Sequence, residues 1–236
     1  MICFHERNFI KQTVVHSLFK LSIMFQNRSE AGMLLAAKLR KYQNMPGVLL
    51  AVPRGGVPVA YEVAKELDVP LEVILVKKLG HPLNKEYAIG AVSLKDMFVI
   101  PHEDVTDFYI QKQVEKIRSR LQEMQKRFMG EKDPENIEGK TIIIIDDGVA
   151  TGNTLLATIR LLRKEKPAKI VVAVPVISKS AAQKIGLEAD ELIAVLVPET
   201  FYGVGQFYDD FTQVSDDEVI EYLQKLRQLK QAKQPG

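Results

Sequence analysis

The chain has a single cysteine, Cys3, among its 236 residues. That excludes an internal disulfide framework and any zinc site built on several thiolates, and it fits a reducing, cytoplasmic setting. No apolar run approaches the roughly eighteen residues that a membrane-crossing helix needs, so no membrane partner is expected. Charge of one sign is not in excess: the formal net charge is +2, and no nucleic-acid partner is expected from it. The four histidines, His5, His16, His81 and His102, are scattered without HExxH or similar ligand spacing, and they read as surface or packed residues. Two nucleotide-binding signatures, GxxxxGK[ST] and GxGxxG, are also missing.

What is present is an ordinary composition, 46% hydrophobic and 26% charged, enough for one large domain or a core domain with a subdomain. Apolar runs of strand length at 48–52, 71–76, 141–145, 170–175 and 192–197 alternate with helix-period segments at 57–67, 155–164 and 178–187. Continuous β-branched runs predict strands buried on both faces. The alternation predicts an α/β fold, an open, mainly parallel sheet with helices on both faces and right-handed crossovers. Ligands of such sheets bind at the carboxyl ends of the strands.

Residues 77–139 interrupt that rhythm. "KKLGHPLNKEYAIGAVS" is polar and turn-rich, and predicts a loop followed by a short strand or hairpin through Ile100. Ile110, Val114, Ile117, Leu121, Met124 and Phe128 then form one apolar stripe, predicting a helix over 103–129 that ends at Gly130. Ser215 is placed to cap a C-terminal helix with acids in its first turn. Residues 1–23 have neither a signal-peptide core nor a small-residue cleavage site. They are expected to be an upstream extension, with Met24 the biological start and 24–236 the folded domain.

The most informative stretch is "TIIIIDDGVATGNT", residues 141–154. Something must offset the repulsion between Asp146 and Asp147, and a metal, a polyol and solvent are the candidates. Three ligand readings compete with a plain solvated strand end. A nucleotide-hydrolase magnesium strand would need the absent Walker loop. A dinucleotide turn would need GxGxxG, with its acid after the loop rather than before it. The third reading accounts for more residues. Adjacent carboxylates can each accept from vicinal ribose hydroxyls, while the small residues Ala150, Thr151, Gly152, Asn153 and Thr154 let backbone amides close around a phosphate at a helix start.

In this strand–loop–helix setting the segment resembles the phosphoribosyl-pyrophosphate (PRPP) signature of type I phosphoribosyltransferases: four apolar residues, two acids, two variable residues, then A-T-G-x-T. "LLAVPRGGVPVA", residues 49–60 and about ninety residues earlier, resembles that family's pyrophosphate loop. "FQNRSEAGMLLAAKL" (25–39) and "VKKLGHPLNKEYAIGAV" (76–92) are similar to a subgroup of these proteins that lack an agreed acceptor. The second of them stands where type I enzymes carry a mobile loop. "FYGVGQFYDDF" (201–211) resembles the hood that holds the base.

The resemblance covers roughly 25–221, and it implies transfer of the phosphoribosyl group of PRPP to an unidentified nitrogenous acceptor with release of pyrophosphate. It implies that Asp146 and Asp147 hold the ribose and act in catalysis, and that Gly148, Val149, Ala150, Thr151, Gly152, Asn153 and Thr154 hold the 5′-phosphate. Arg54, Gly55, Gly56, Lys77 and Lys78 would serve the pyrophosphate. Phe201, Tyr202 and Val204 would line the base site, in a small hood of N- and C-terminal pieces. Mg2+ would arrive with PRPP, with Asp146 and Asp147 as potential ligands, and a homodimer is expected.

Ala150 replaces the loop aspartate of hypoxanthine-guanine enzymes, so a proton-transfer group must come from elsewhere. Glu86 is the candidate among Lys77, Lys78, His81, Lys85, Glu86 and Tyr87, with Asp209 and Asp210 next. The rival readings are a PRPP-binding regulator without turnover and a degenerate fold kept for interactions. The chain has no recognisable helix-turn-helix and little excess charge, which favours the enzyme over the regulator.

Overall fold

The computed structural model describes residues 24–85, 87–130 and 134–233. Glu86 and residues 1–23, both singled out above, lie outside the described residues. The predicted strands are present as β1 (Gly47–Ala51), β2 (Leu71–Val73), β6 (Thr141–Ile145), β7 (Lys169–Val176) and β8 (Glu191–Leu196). They form one five-stranded parallel sheet in the order β2-β1-β6-β7-β8.

The isoleucine run of β6 explains why this sheet is buried on both sides. Side chains alternate across a strand, so Ile143 and Ile145 join Leu49, Ala51, Val171 and Ala173 in one core. Ile142 and Ile144 join Val48, Leu50, Ile170 and Val172 in the other. The first core is covered by α1 (Arg28–Lys38), α2 (Gly56–Leu67), the inner face of α3 (Asp107–Met129) and α6 (Asp216–Lys233). The second is covered by α4 (Asn153–Lys164) and α5 (Lys179–Gly186). The result is three layers, helix over sheet over helix.

Two boundaries differ from the sequence reading. The apolar run 71–76 splits: Leu71–Val73 stays in the main sheet, and β3 (Val76–Gly80) begins a separate antiparallel meander with β4 (Ala88–Ser93) and β5 (Met97–Val99). Ile74 and Leu75 are as buried as their neighbours, so apolarity alone does not reveal the change of sheet. Lys77 and Lys78 therefore lie in a strand, not a loop. The helix expected over 103–129 starts at Asp107, because the Thr106 hydroxyl accepts the Tyr109 amide and caps it. At the other end of the chain, Ser215 caps α6 as expected. Its hydroxyl accepts the Glu218 amide while the Glu218 carboxylate accepts the Ser215 amide, a reciprocal box.

The hood unites the two ends of the domain. Phe25 pairs in parallel with Tyr208, the Phe25 amide donating to Phe207 O at 2.8 Å and the Asp209 amide to Phe25 O at 2.8 Å. Phe25, Phe207 and Tyr208 are buried together against Val176. Among the described residues no helix is long and apolar enough to cross a membrane.

Candidate functional site

In the main sheet, β1 leads outward to β2 on one side, while β6, β7 and β8 follow on the other. The strand order therefore reverses between β1 and β6, and a crevice opens at their carboxyl ends. Both motifs lie there. The Pro53–Gly56 turn leaves β1, with a cis Pro53–Arg54 peptide, and the acid pair leaves β6. They touch: a Cβ built on Gly55 would lie 2.0 Å from Asp147 Oδ2, and one on Gly56 would lie 2.7 Å from Ile145 O. Only a residue without a side chain allows so close an approach.

The repulsion between the acids is offset by a residue that the sequence reading does not weigh. Arg28 Nε donates to Asp147 Oδ2 at 2.8 Å, with the two side chains only 11% and 14% exposed. Arg28 Nη1 donates to Thr212 O at 2.8 Å, and the guanidinium lies 4.0 Å from the Phe211 ring centroid. The Tyr208 hydroxyl donates to Asp147 O at 2.6 Å, and the Asp147 amide donates to Asp146 Oδ1 at 2.9 Å. Burial, and then the charge of Asp147, raise the Asp146 carboxyl well above the usual carboxylate range. Burial likewise pushes the Tyr208 hydroxyl upward. The signal for Arg28 is in the sequence: it opens α1, where the helix dipole disfavours a cation.

The following loop leaves several backbone amides free. Gly152 takes φ +76° as the cap residue of α4, a conformation suited to glycine. Among the described residues the amides of Thr151, Gly152, Asn153 and Thr154 have no acceptor, as a helix start leaves them, and Thr151, Asn153 and Thr154 are exposed. Ser178 Oγ donates to Ala150 O at 2.6 Å and pins the loop to the start of α5. Val149 differs from its neighbours in the loop. Its amide donates to Val176 O at 2.9 Å and its side chain is buried, so it has no amide left for a phosphate. Gly148 lies under the hood, where a Cβ would meet Val204 Cγ1 at 2.4 Å.

The basic residues divide. Lys78 shares a cavity of about 260 Å³ with Thr151, Asn153 and Thr154, formed where β3 and β4 pass the loop that opens α4. Lys77, Lys78, Pro53 and Thr154 line an adjoining cavity of about 330 Å³. Arg54 points elsewhere: its Nη1 lies 3.6 Å from Asp216 Oδ1 at the start of α6, where Arg127 also pairs with Asp216 at 2.6 Å. In the hood, Phe201 stacks on Phe207 with centroids 5.4 Å apart, while Tyr202 is 89% exposed. Asp210, a reserve proton-transfer candidate, accepts from Thr212 N and Thr212 Oγ1, bonds that hold its carboxyl below the usual range.

Two adjacent carboxylates, each with one oxygen already engaged, cannot enclose a cation. Among the described residues no group of three or more His, Cys, Asp or Glu could hold a metal ion. The arrangement suits a magnesium ion that keeps most of its ligands from a substrate's phosphates and from water.

Comparison with known proteins agrees with this geometry. A family model described as "Phosphoribosyl transferase domain" matches residues 25–212. The chain is 39% identical over 210 residues to "Putative phosphoribosyl transferase Rv0571c" of Mycobacterium tuberculosis (strain ATCC 25618 / H37Rv), covering 86% of this chain and 47% of that protein. The same figures hold for "Putative phosphoribosyl transferase MT0597" of Mycobacterium tuberculosis strain CDC 1551 / Oshkosh. The chain thus spans about half the length of the curated relatives it matches. Among solved structures, TT1426 from Thermus thermophilus superposes with a TM-score of 0.78 at 35% identity, covering 86% of this chain and 99% of that one.

Proposed function

We propose a function from the premise that this chain belongs to the phosphoribosyl transferase domain family, whose model matches residues 25–212. The activity is transfer of the 5-phosphoribosyl group of PRPP to a nitrogen nucleophile. The bond from C1 of the ribose to the pyrophosphate oxygen breaks, with its electron pair leaving on pyrophosphate. A C1–N bond forms from the acceptor's lone pair, and the acceptor loses a proton. The observation that carries this reading is the contact between Gly55 and the acid pair at the point of strand reversal. It brings the turn after β1 beside the acids and loop after β6, which supports their serving one ligand together.

Each group has a part in that chemistry. Asp146 and Asp147 accept from the ribose hydroxyls and, where ionised, offset positive charge developing on the ring. The free amides of 151–154 and the α4 dipole hold the 5′-phosphate. The Gly55 amide, with Lys77 and Lys78 of the neighbouring cavity, favours the pyrophosphate, whereas the Gly56 amide is already given to Val52 O at 3.0 Å and serves only by the absence of a side chain. Asp146 and Asp147, together with the pyrophosphate, would hold a magnesium ion, which would neutralise charge on the leaving group. Arg54 serves the pyrophosphate only after leaving Asp216, and at 3.6 Å that pair is long for a hydrogen bond.

Ala150 offers no acid or base, so a proton-transfer group from outside the loop is required, and Glu86 keeps that assignment as a proposal. Pyrophosphate release on mixing the protein with PRPP, Mg2+ and a panel of nitrogenous bases tests the reading. Release with at least one base is expected. PRPP binding without release from any acceptor would reassign the chain as a PRPP-binding regulator.

A further inference from the structure

Arg28 stands against its local electrostatics, a cation on the first residue of α1, where the dipole favours an acid. Its side chain crosses to a carboxylate 119 residues away in sequence. We propose that Arg28 is a positioning residue for Asp147, setting the affinity for the ribose ring through the rotamer and charge of that carboxylate. This deepens the PRPP reading above and rests on it.

The physical need is plain. The carboxylate torsion of an aspartate is broad and two-fold, and Asp147 leaves β6 beside a second carboxylate that repels it. Without a fixed partner its charge would swing toward solvent, away from Asp146. Arg28 Nε takes Oδ2 at 2.8 Å, which fixes the plane of the group and leaves Oδ1 as the oxygen for a ligand hydroxyl. A charge-assisted bond of this kind is stronger and more directional than a neutral one.

Arg28 is itself immobilised, so it can impose a geometry. One Nη donates to Thr212 O, and the plane of the guanidinium lies over Phe211. Thr212 is in turn held by Asp210, whose amide donates to Gln26 O. The start of α1, the hood and the ribose carboxylate therefore form one connected unit. Tyr208 completes it by donating to the Asp147 carbonyl.

The test is calorimetric titration of the full chain with PRPP and Mg2+, comparing wild type, Arg28→Gln, Arg28→Lys, Asp147→Asn and each Arg28 variant combined with Asp147→Asn. Melting curves on every protein confirm folding. Arg28→Gln is expected to weaken PRPP by about tenfold, the loss of roughly one charge-assisted hydrogen bond. Arg28→Lys should recover part of that loss. Combining Arg28→Gln with Asp147→Asn should bind no more weakly than Asp147→Asn alone, because the arginine acts only through that carboxylate.

Losses that multiply in the double variant would overturn the proposal, as would wild-type affinity in Arg28→Gln. If Arg28→Gln does not fold, the Arg28→Lys pair, with and without Asp147→Asn, decides on the same criterion. Absence of PRPP binding by the wild type would instead overturn the PRPP reading and this inference with it. Binding with no dependence on Arg28 overturns the inference alone.

Discussion

Gly55 and Asp147, ninety-two positions apart in the chain, approach so closely that a methyl group on the glycine would lie 2.0 Å from Asp147 Oδ2 and 2.6 Å from its Cγ. The turn that follows β1 and the acid that ends β6 are shaped to each other. Each motif is thus a boundary condition on the other.

Gly55→Ala tests that fit. Gly55 has φ −60° and ψ −32°, helical values that alanine adopts freely. On backbone grounds alone the substitution would stabilise by about 0.4–1 kcal/mol. The clash reverses the sign, because overpacking of this kind costs about 1–3 kcal/mol. Thermal melts should show a lower melting temperature, and PRPP binding should weaken as Asp147 is displaced. An alanine variant as stable and as tight as wild type would show that the two motifs are not in contact.

Asp146→Asn should stabilise the unliganded protein while weakening PRPP binding. The folded-state pKa of Asp146 lies above its unfolded value, so ionisation opposes folding. Wild-type stability from this group is highest below the unfolded pKa of about 3.9 and falls as pH rises through the raised folded value. The asparagine is free of this penalty and still accepts the Asp147 amide. Melts at pH 4 and pH 7.5 should show the variant's advantage small at the lower pH and larger at the higher. An equal gap at both would assign the effect to something other than charge.

A second pH response belongs to the other end of the sheet. Glu191 accepts from Tyr42 at 2.6 Å and from Lys169 at 2.8 Å, and it pairs with Lys41. The hydrogen bond from Lys169, followed by those from Lys41 and Tyr42, lowers its carboxyl to about 2. The stabilisation is therefore complete above the unfolded pKa of about 4.3 and lost as pH falls toward the folded value. The pair is part-exposed and screened, so Glu191→Gln should cost about 1 kcal/mol at pH 7. That cost should shrink as pH falls toward 2 and in high salt, with PRPP affinity unchanged. A cost independent of pH would mean that packing, not charge, is what Glu191 supplies.

Much of this arrangement is legible in the sequence because burial on both faces writes itself as unbroken β-branched runs. Thr141–Ile145 is readable with its observed bounds for that reason. The same signal misleads at 71–76, where both segments are buried but belong to different sheets. The start of α3 is misplaced because the apolar stripe, which begins at Ile110, does not mark where the helix opens, whereas the Thr106 hydroxyl decides where the backbone turns helical. The acid pair and its loop are local and readable. The partners of that pair are not local: Arg28 arrives from α1 and Tyr208 from the hood, across spacings no periodicity encodes. The commitment of the Val149 amide to β7 is equally a product of topology.

The most direct test is calorimetry of PRPP with Mg2+ against wild type and Asp147→Asn. A charge-assisted hydrogen bond from a ribose hydroxyl contributes roughly 1.5–3 kcal/mol, so the substitution should weaken binding on the order of ten- to a hundredfold. The asparagine oxygen still accepts from Arg28 and the repulsion with Asp146 is relieved, so the unliganded melting temperature should change little. Tight wild-type binding with that loss is the predicted result, and equal affinity in the two proteins would contradict the assignment of the acid pair to the ribose.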